Sequence, residues 1–318
     1  MTEPRNLNED ALRIAEDVVG RHESLGIVVH QVDGGGRVID AGINAPGGVE
    51  AGVELACLCL SGRGQVVAAP EAMSAWRTHR IDVQTDDPIA ACLASQYAGW
   101  QISVGKYFAM GSGPMRAAYG GEELFEEIGM TESPRGIVGV LESDALPGND
   151  VFALISEKTG VPSSAIVLAV APTNSLAGGL QVVARSVETA LHKLHNLKFD
   201  LTRIVRGEGS APLPPVADKS LDALGRTNDA MLYGADVTLQ VTGDDATLKE
   251  IGPMVPASSS KDYGTPFGEI FKRYEYDFYK IDSHLFSPAK ITLQNVDSGN
   301  AFTFGEINRV VLEKSFLS

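Results

Sequence analysis

The stretch RGIVGVLES (residues 135–143), followed by GNDVFALISEKTG (148–160), SAIVLAVAPT (164–173) and the long run from Ser175 to His195, decides the fold class. The first and third segments are short, apolar and rich in β-branched residues, which suits buried strands. The second carries helical spacing and ends at Gly160, a natural helix stop. The fourth is long enough and periodic enough for a single helix. Strand–helix alternation of this kind implies a packed α/β layer.

Outward from this centre the pattern changes. GIVVHQV (26–32) and RVIDAGI (37–43) flank Asp33-Gly34-Gly35-Gly36 and read as a hairpin. KITLQNVDSGNAFTFGE (290–306) reads as a second hairpin, and QVVAAP (65–70), RIDVQT (80–85) and DVTLQVT (236–242) as strands. Helices are expected at Asn8–Val19 with Asn8 as cap, at Asp87–Gly99 behind Pro88, around FGEIFKRYEYDFY (267–279) and at the end of the chain. Gly52–Leu60 reads as helical or buried. The Pro-rich segment Ser210–Asp218 is a candidate boundary. Because both chain ends carry helix, strand and hairpin elements, residues 1–75 plus 225–318 are expected to form one α/β domain. Residues 76–224 form the other, with the candidate catalytic helix.

The 318 residues carry 26 Lys and Arg against 41 Asp and Glu, a net charge of −15. That balance argues against binding nucleic acid or an anionic membrane, where phosphate charge must be neutralised. Cys57, Cys59 and Cys92 are too few and too odd for a disulfide framework. Cys57 and Cys59 alternate in LACLCL as if on one side of a strand, and read as small buried hydrophobes. The polar, acidic N-terminal stretch is no signal peptide, and no apolar run reaches the ~20 residues of a membrane span. A soluble, cytoplasmic protein is expected.

Chemistry concentrates in the run from Ser175. Leu176, Leu180, Val183, Val187, Leu191 and Leu194 form an apolar stripe. Gln181, Arg185, Glu188 and His192 form a second line, and Arg185 and Glu188 are three apart, within touching distance on a helix. The pair reads either as an ordinary surface ion pair or as a functional one. Two features favour function. Gly178 and Gly179 sit in the opening turns, where each costs about 1 kcal/mol relative to Ala, so close approach of another group is a reason for them. The run also follows the carboxyl end of a buried strand, where α/β ligand sites form. Glu188, His192 and His195 could be metal ligands, but their spacing matches no zinc motif.

Gly111-Ser112-Gly113-Pro114 before Met115-Arg116 reads as a tight turn or as an anion cradle assisted by Arg116. It is no Walker loop, and no G-x-S-x-G elbow is present. Asn228-Asp229 near Tyr233, and the aromatic segment Tyr276–Asp282, would suit a flat heterocycle or simply a core.

Taken together, ASQYAGWQI (94–102), YFAMGSGPMRA (107–117), APTNSLAGGLQVVARSVE (171–188), LGRTNDAMLYG (224–234) and DYGTPFGEIF (262–271) with YDFYKIDSHLFSPA (276–289) resemble the methenyltetrahydromethanopterin cyclohydrolases of methanogens and methylotrophic bacteria. The resemblance runs over almost the whole chain. VARSVETALHKLH and GEGSAPLPP are closer to the bacterial members. It implies an α+β fold of two mixed α/β domains with a deep interdomain cleft, a homotrimer, and reversible hydrolysis of the methenyl bridge of a reduced pterin to its 5-formyl form, with neither metal nor redox cofactor. By the motif SLAGGLQVVARSVE, the family's catalytic glutamate and arginine fall on Glu188 and Arg185. Candidate substrate-binding residues are Gly111, Ser112, Gly113, Pro114, Arg116, Ser175, Gln181, Asn228, Asp229, Tyr279 and Lys280. One departure is Tyr97, where archaeal members carry lysine. The rival readings are a metal-dependent amidohydrolase-like enzyme built on Glu188, His192 and His195, a non-catalytic pterin-binding protein, and a folate cyclohydrolase.

Overall fold

The computed structural model describes residues 6–72 and 77–317, so the first five residues of the polar N-terminal stretch lie outside it. The strands are β1 (Val28–Gln31), β2 (Arg37–Asp40), β3 (Gln65–Ala72), β4 (Arg77–Thr85), β5 (Trp100–Val104), β6 (Tyr107–Ser112), β7 (Ile137–Glu142), β8 (Ile166–Ala171), β9 (Ile204–Pro212), β10 (Asp236–Val241), β11 (Lys290–Asn295) and β12 (Ala301–Gly305). The first six α-helices are α1 (Leu7–Gly20), α2 (His22–Leu25), α3 (Val49–Cys59), α4 (Met115–Tyr119), α5 (Glu123–Ile128) and α6 (Asn149–Thr159). The others are α7 (Leu176–Val183), α8 (Ser186–Asn196), α9 (Ser220–Gly234), α10 (Asp245–Ile251), α11 (Phe267–Arg273) and α12 (Arg309–Phe316). The fold is mixed α and β, with two six-stranded mixed sheets.

Two compact units result: residues 6–64 with 90–181, and residues 65–89 with 182–317. The first unit holds the sheet β1-β2-β8-β7-β6-β5. Its centre is the parallel pair β7/β8, and α6 supplies the crossover that such a pair requires. Every residue of β8 is buried, as its continuous apolar run demands. The expected first hairpin is β1/β2. Asn8 does not cap α1. It is fully buried, donating to the Pro114 carbonyl at 2.8 Å and accepting from Val138 N, while the Glu132 carboxylate takes the first amides of the helix. A side chain that can donate and accept at once is worth more inside than at a solvated helix end. The segment after Pro88 forms a π-helix, Ile89–Gln96. Cys57 and Cys59 lie on α3, so their alternation does not place them on one face; Cys59 is buried and Cys57 partly so.

The second unit holds the sheet β12-β11-β10-β9-β4-β3, with β10/β11 parallel and every other pair antiparallel. Of residues 1–75 only β3 shares this sheet with β10–β12, while β1 and β2 belong to the first sheet, in contrast to the expected domain of residues 1–75 with 225–318. The Pro-rich segment is no boundary either. Its first residues belong to β9, which runs between β10 and β4. Gly207 and Gly209 on β9 let α8 lie close, because a Cβ on either would meet Val187 or Ser186.

The long helix expected from Ser175 to His195 is two helices. α7 ends at Val183, the chain turns at Ala184 and Arg185, and α8 restarts at Ser186. The apolar stripe survives the break, with Leu180, Val183, Val187, Leu191 and Leu194 all fully buried. Gly178 has an internal reason, since a Cβ there would collide with the Pro172 carbonyl oxygen.

Candidate active site

The break in the helix sets the environment of Arg185 and Glu188. Arg185 occupies the cap position of α8, and its carbonyl accepts from Thr189 N at 2.8 Å and Thr189 Oγ1 at 2.9 Å. Glu188 is the third residue of the helix, in the first turn. There the unpaired amides and the helix dipole favour an ionised carboxylate. Neither side chain lies on a solvated face: Arg185 is 8% exposed and Glu188 6%. A buried charge persists only when held by partners, so burial moves the pair away from the ordinary surface ion pair. His192 and His195, further along α8, are partly buried. Among the described residues no cluster of three His, Cys, Asp or Glu side chains could hold a metal ion.

In the first unit the Gly111–Pro114 turn is buried throughout. Gly113 takes φ +86, and its amide donates to the Ser95 carbonyl at 2.9 Å. Of the two readings of this segment, the occupied guanidinium of Arg116 favours the tight turn over the anion cradle. That guanidinium is fully buried and bidentate to Glu122, with bonds of 2.8 and 2.6 Å, and it also donates to the Leu93 carbonyl. Tyr97 and Phe125 flank it, their ring centroids 4.9 and 5.2 Å away. Arg116 thus has acceptors of its own and reads as a structural tie. Ser112 and Gln181, far apart in sequence, are brought together around Cys59. The Cys59 Sγ lies 3.5 Å from Ser112 Oγ and donates to Gln181 Oε1 at 3.8 Å. Ser175 opens α7 by accepting from Gly178 N at 3.0 Å.

The remaining candidates in the second unit divide. Asp229, on α9, is buried: one oxygen accepts from Phe267 N at 2.7 Å and the other from Ser315 Oγ at 2.6 Å. It ties α9 to α11 and α12, and burial, opposed by these two bonds, raises its pKa to about 7. It also borders a groove of about 520 Å³ between those helices. Asn228 folds back to the Leu224 carbonyl at 2.9 Å. α11 ends at Arg273 because Glu275 and Tyr276 both take left-handed backbone, so the expected helix does not reach Tyr279. Tyr279 is 98% exposed, and Lys280 pairs with Glu275 at 2.9 Å.

Sequence reasoning passed over two residues. Lys193 is 2% exposed on α8 and donates to the His284 carbonyl at 2.8 Å and to His284 Nδ1 at 3.0 Å. The signal was the polar Lys193 between the core positions Leu191 and Leu194. Cys59 reads from sequence as a small hydrophobe, and the apolar run LACLCL carries no sign of its polar contact.

The cyclohydrolase (MCH) family model matches residues 6–316. The chain belongs to that family. Among its relatives, the methenyltetrahydromethanopterin cyclohydrolase of Rhodopirellula baltica is 50% identical over 287 residues, covering 89% of this chain and 86% of that protein. The protein of the same name from Methylobacillus flagellatus is 42% identical, covering 98% and 95%. That of Methanosarcina barkeri is 39% identical, covering 98% of both chains. The resemblance stated from the motifs is therefore upheld over nearly the full length, and the MCH chain is an enzyme by family. No described helix is long and apolar enough to cross a membrane.

Proposed function

We propose that this MCH chain hydrolyses the methenyl bridge of 5,10-methenyl-tetrahydromethanopterin, or its dephospho form, to the 5-formyl compound, reversibly. The observation that supports the chemistry best is the burial of Glu188 in the first turn of α8, directly after Arg185. The substrate is an amidinium-like cation whose bridging carbon is electrophilic. It requires a deprotonated water and an environment that tolerates positive charge. A carboxylate held ionised by a helix start supplies both.

In this reading Glu188 takes a proton from water as its oxygen bonds to the bridging carbon. The tetrahedral adduct collapses, the bond to one nitrogen breaks, and Glu188 returns the proton to that nitrogen. The second proton of the water is released. Arg185 keeps Glu188 ionised and oriented. The bridging carbon does not change oxidation level, so no electron acceptor takes part. The proposal includes no metal. Association as a homotrimer and a cytoplasmic location follow from the family resemblance and belong to the same proposal, as does the absence of any nucleic-acid or membrane partner.

The decisive test is the loss of methenyl absorbance with purified protein. Turnover of methenyl-tetrahydromethanopterin well above the spontaneous rate, with methenyl-tetrahydrofolate slower, supports the proposal. Reaction of the folate alone, or none, rejects it. A stoichiometric transition metal in active protein would favour the Glu188, His192 and His195 alternative, and sedimentation equilibrium tests the trimer.

A further inference from the structure

The groove between α9, α11 and α12 carries groups that the proposed chemistry does not use. Its volume, about 520 Å³, is that of a small-molecule pocket. Neither Arg185 nor Glu188 lines it. Asp229 and Ser315 lie at its buried floor. Each Asp229 oxygen accepts one hydrogen bond from the protein, Oδ1 from Phe267 N and Oδ2 from Ser315 Oγ. A carboxylate can accept about four, so the floor has room for a donor from outside. Ser315 has already given its only hydroxyl proton to Asp229, so it too can only accept. Above the floor the groove is open over bare backbone. A Cβ on Gly225 would sit 3.5 Å from Gly268 Cα, and a Cβ on Gly268 would meet nothing within 4 Å.

Of the other charged side chains around the groove, Lys314 on α12 pairs with Glu269 on α11 at 2.8 Å. Arg226 on α9 donates to the Pro215 and Val216 carbonyls at 3.2 and 3.3 Å. Asp222 on α9 and Lys272 on α11 line the same groove, yet they pair neither with each other nor with any described residue. Two exposed apolar groups flank the groove, Leu221 and Tyr276. Glu275 and Tyr276 both take left-handed backbone, which residues with a Cβ adopt only under constraint. That backbone holds the Tyr276 ring edge-on against Phe271, with centroids 5.5 Å apart, at the groove wall. Strain of this kind clusters at ligand clamps.

We propose that this groove binds a small zwitterion of the aromatic amino-carboxylate class, its ammonium donating to Asp222 and to the Asp229–Ser315 floor, its carboxylate on Lys272 and its ring between Leu221 and Tyr276. Two opposite charges on separate helices that do not meet each other are joined by a ligand that carries both. An amine alone leaves Lys272 unmatched, and a carboxylate alone faces Asp222 and Asp229. Burial raises the pKa of Asp229 to about 7, so near neutral pH part of the population holds a proton. An arriving ammonium favours the ionised carboxylate, and that proton passes to solvent as the ligand binds. The proposal does not depend on the cyclohydrolase reading.

The probe is 4-(aminomethyl)benzoate, with benzylamine and 4-methylbenzoate as its two halves. Calorimetric titration of the full chain at pH 7, in buffers of different ionisation enthalpy, reads affinity and proton release together. The zwitterion is expected to bind with a Kd of roughly 1 mM or below, each half about tenfold or more weaker, with a proton released in part. Lys272→Gln should weaken the zwitterion about tenfold and leave benzylamine no weaker. Gly268→Leu, whose side chain enters open space, should abolish binding. Asp229→Asn keeps an acceptor for Phe267 N and should remove the proton release. No binding of the zwitterion, equal affinity for all three probes, or unchanged affinity in Gly268→Leu overturns the proposal. Competition by methenyl-tetrahydromethanopterin for the same site would assign the groove to the substrate and overturn it as a second site. The cyclohydrolase reading is tested separately, by turnover.

Discussion

Ser315 on α12 donates to the carboxylate of Asp229 on α9 at 2.6 Å, deep in the second unit, while the other carboxylate oxygen receives the first amide of α11. One acid thus gathers three helices. Burial raises its pKa from 3.8 to about 7. The folded state therefore holds a proton that the unfolded chain releases between those values. Its stabilising contribution is complete below about pH 4 and is lost as pH rises through about 7, at up to roughly 1.4 kcal/mol per unit. Asp229→Asn keeps an acceptor for Phe267 N and removes the titration. Urea unfolding at pH 5 and pH 8 should show a smaller drop for Asp229→Asn than for the wild type. An equal drop in both would show that Asp229 does not titrate in this range.

Glu188→Gln preserves shape and removes the base. Turnover should fall by two to three powers of ten, with KM within a few-fold of wild type. Arg185→Lys retains charge without the guanidinium fork and should lose less than Arg185→Ala. Wild-type turnover in Glu188→Gln would remove this carboxylate from the reaction.

Arg116 is expected to matter for stability and not for substrate. Arg116→Met leaves the Glu122 carboxylate beside a buried apolar site, and breaking such a pair costs about 3–5 kcal/mol. Thermal unfolding should register the loss, and KM measured well below the transition should stay unchanged. A large KM effect in folded protein would return Arg116 to the substrate site.

Gly178→Ala inserts a methyl against the Pro172 carbonyl. Overpacking of this kind costs about 1–3 kcal/mol, so the midpoint of chemical unfolding should drop. Tyr279→Ala, at a fully solvated ring, should change stability by less than about 0.5 kcal/mol.

The strands and both hairpins were legible because their apolar runs and glycine turns are local signals. β7, α6 and β8 follow directly from residues 135–173. The partition into units was not legible, because it depends on which distant strands pair. Nothing in RIDVQT announces that Asp82 will lie opposite Ser210. The split of the Ser175–His195 helix was hidden for a related reason. Ala184 and Arg185 are ordinary helix residues, and no proline or side-chain cap marks the turn. At the candidate site, Arg185 and Glu188 stood out by spacing. The roles of Arg116, Tyr279 and Lys280 are not legible from sequence, because a basic or aromatic residue in a motif looks the same whether its partner is a ligand, a carboxylate of the protein or water.

The β4–β9 pairing also bears on biogenesis. Residues 77–85 leave the ribosome long before residues 204–212 exist to receive them. During that interval the β3–β4 ribbon has an open edge, and two-stranded ribbons are only marginally stable in water. Neither unit is one continuous stretch of chain. A fragment cut anywhere near the middle should therefore aggregate instead of yielding a working half, and the nascent protein should need chaperone protection until its last third has been made.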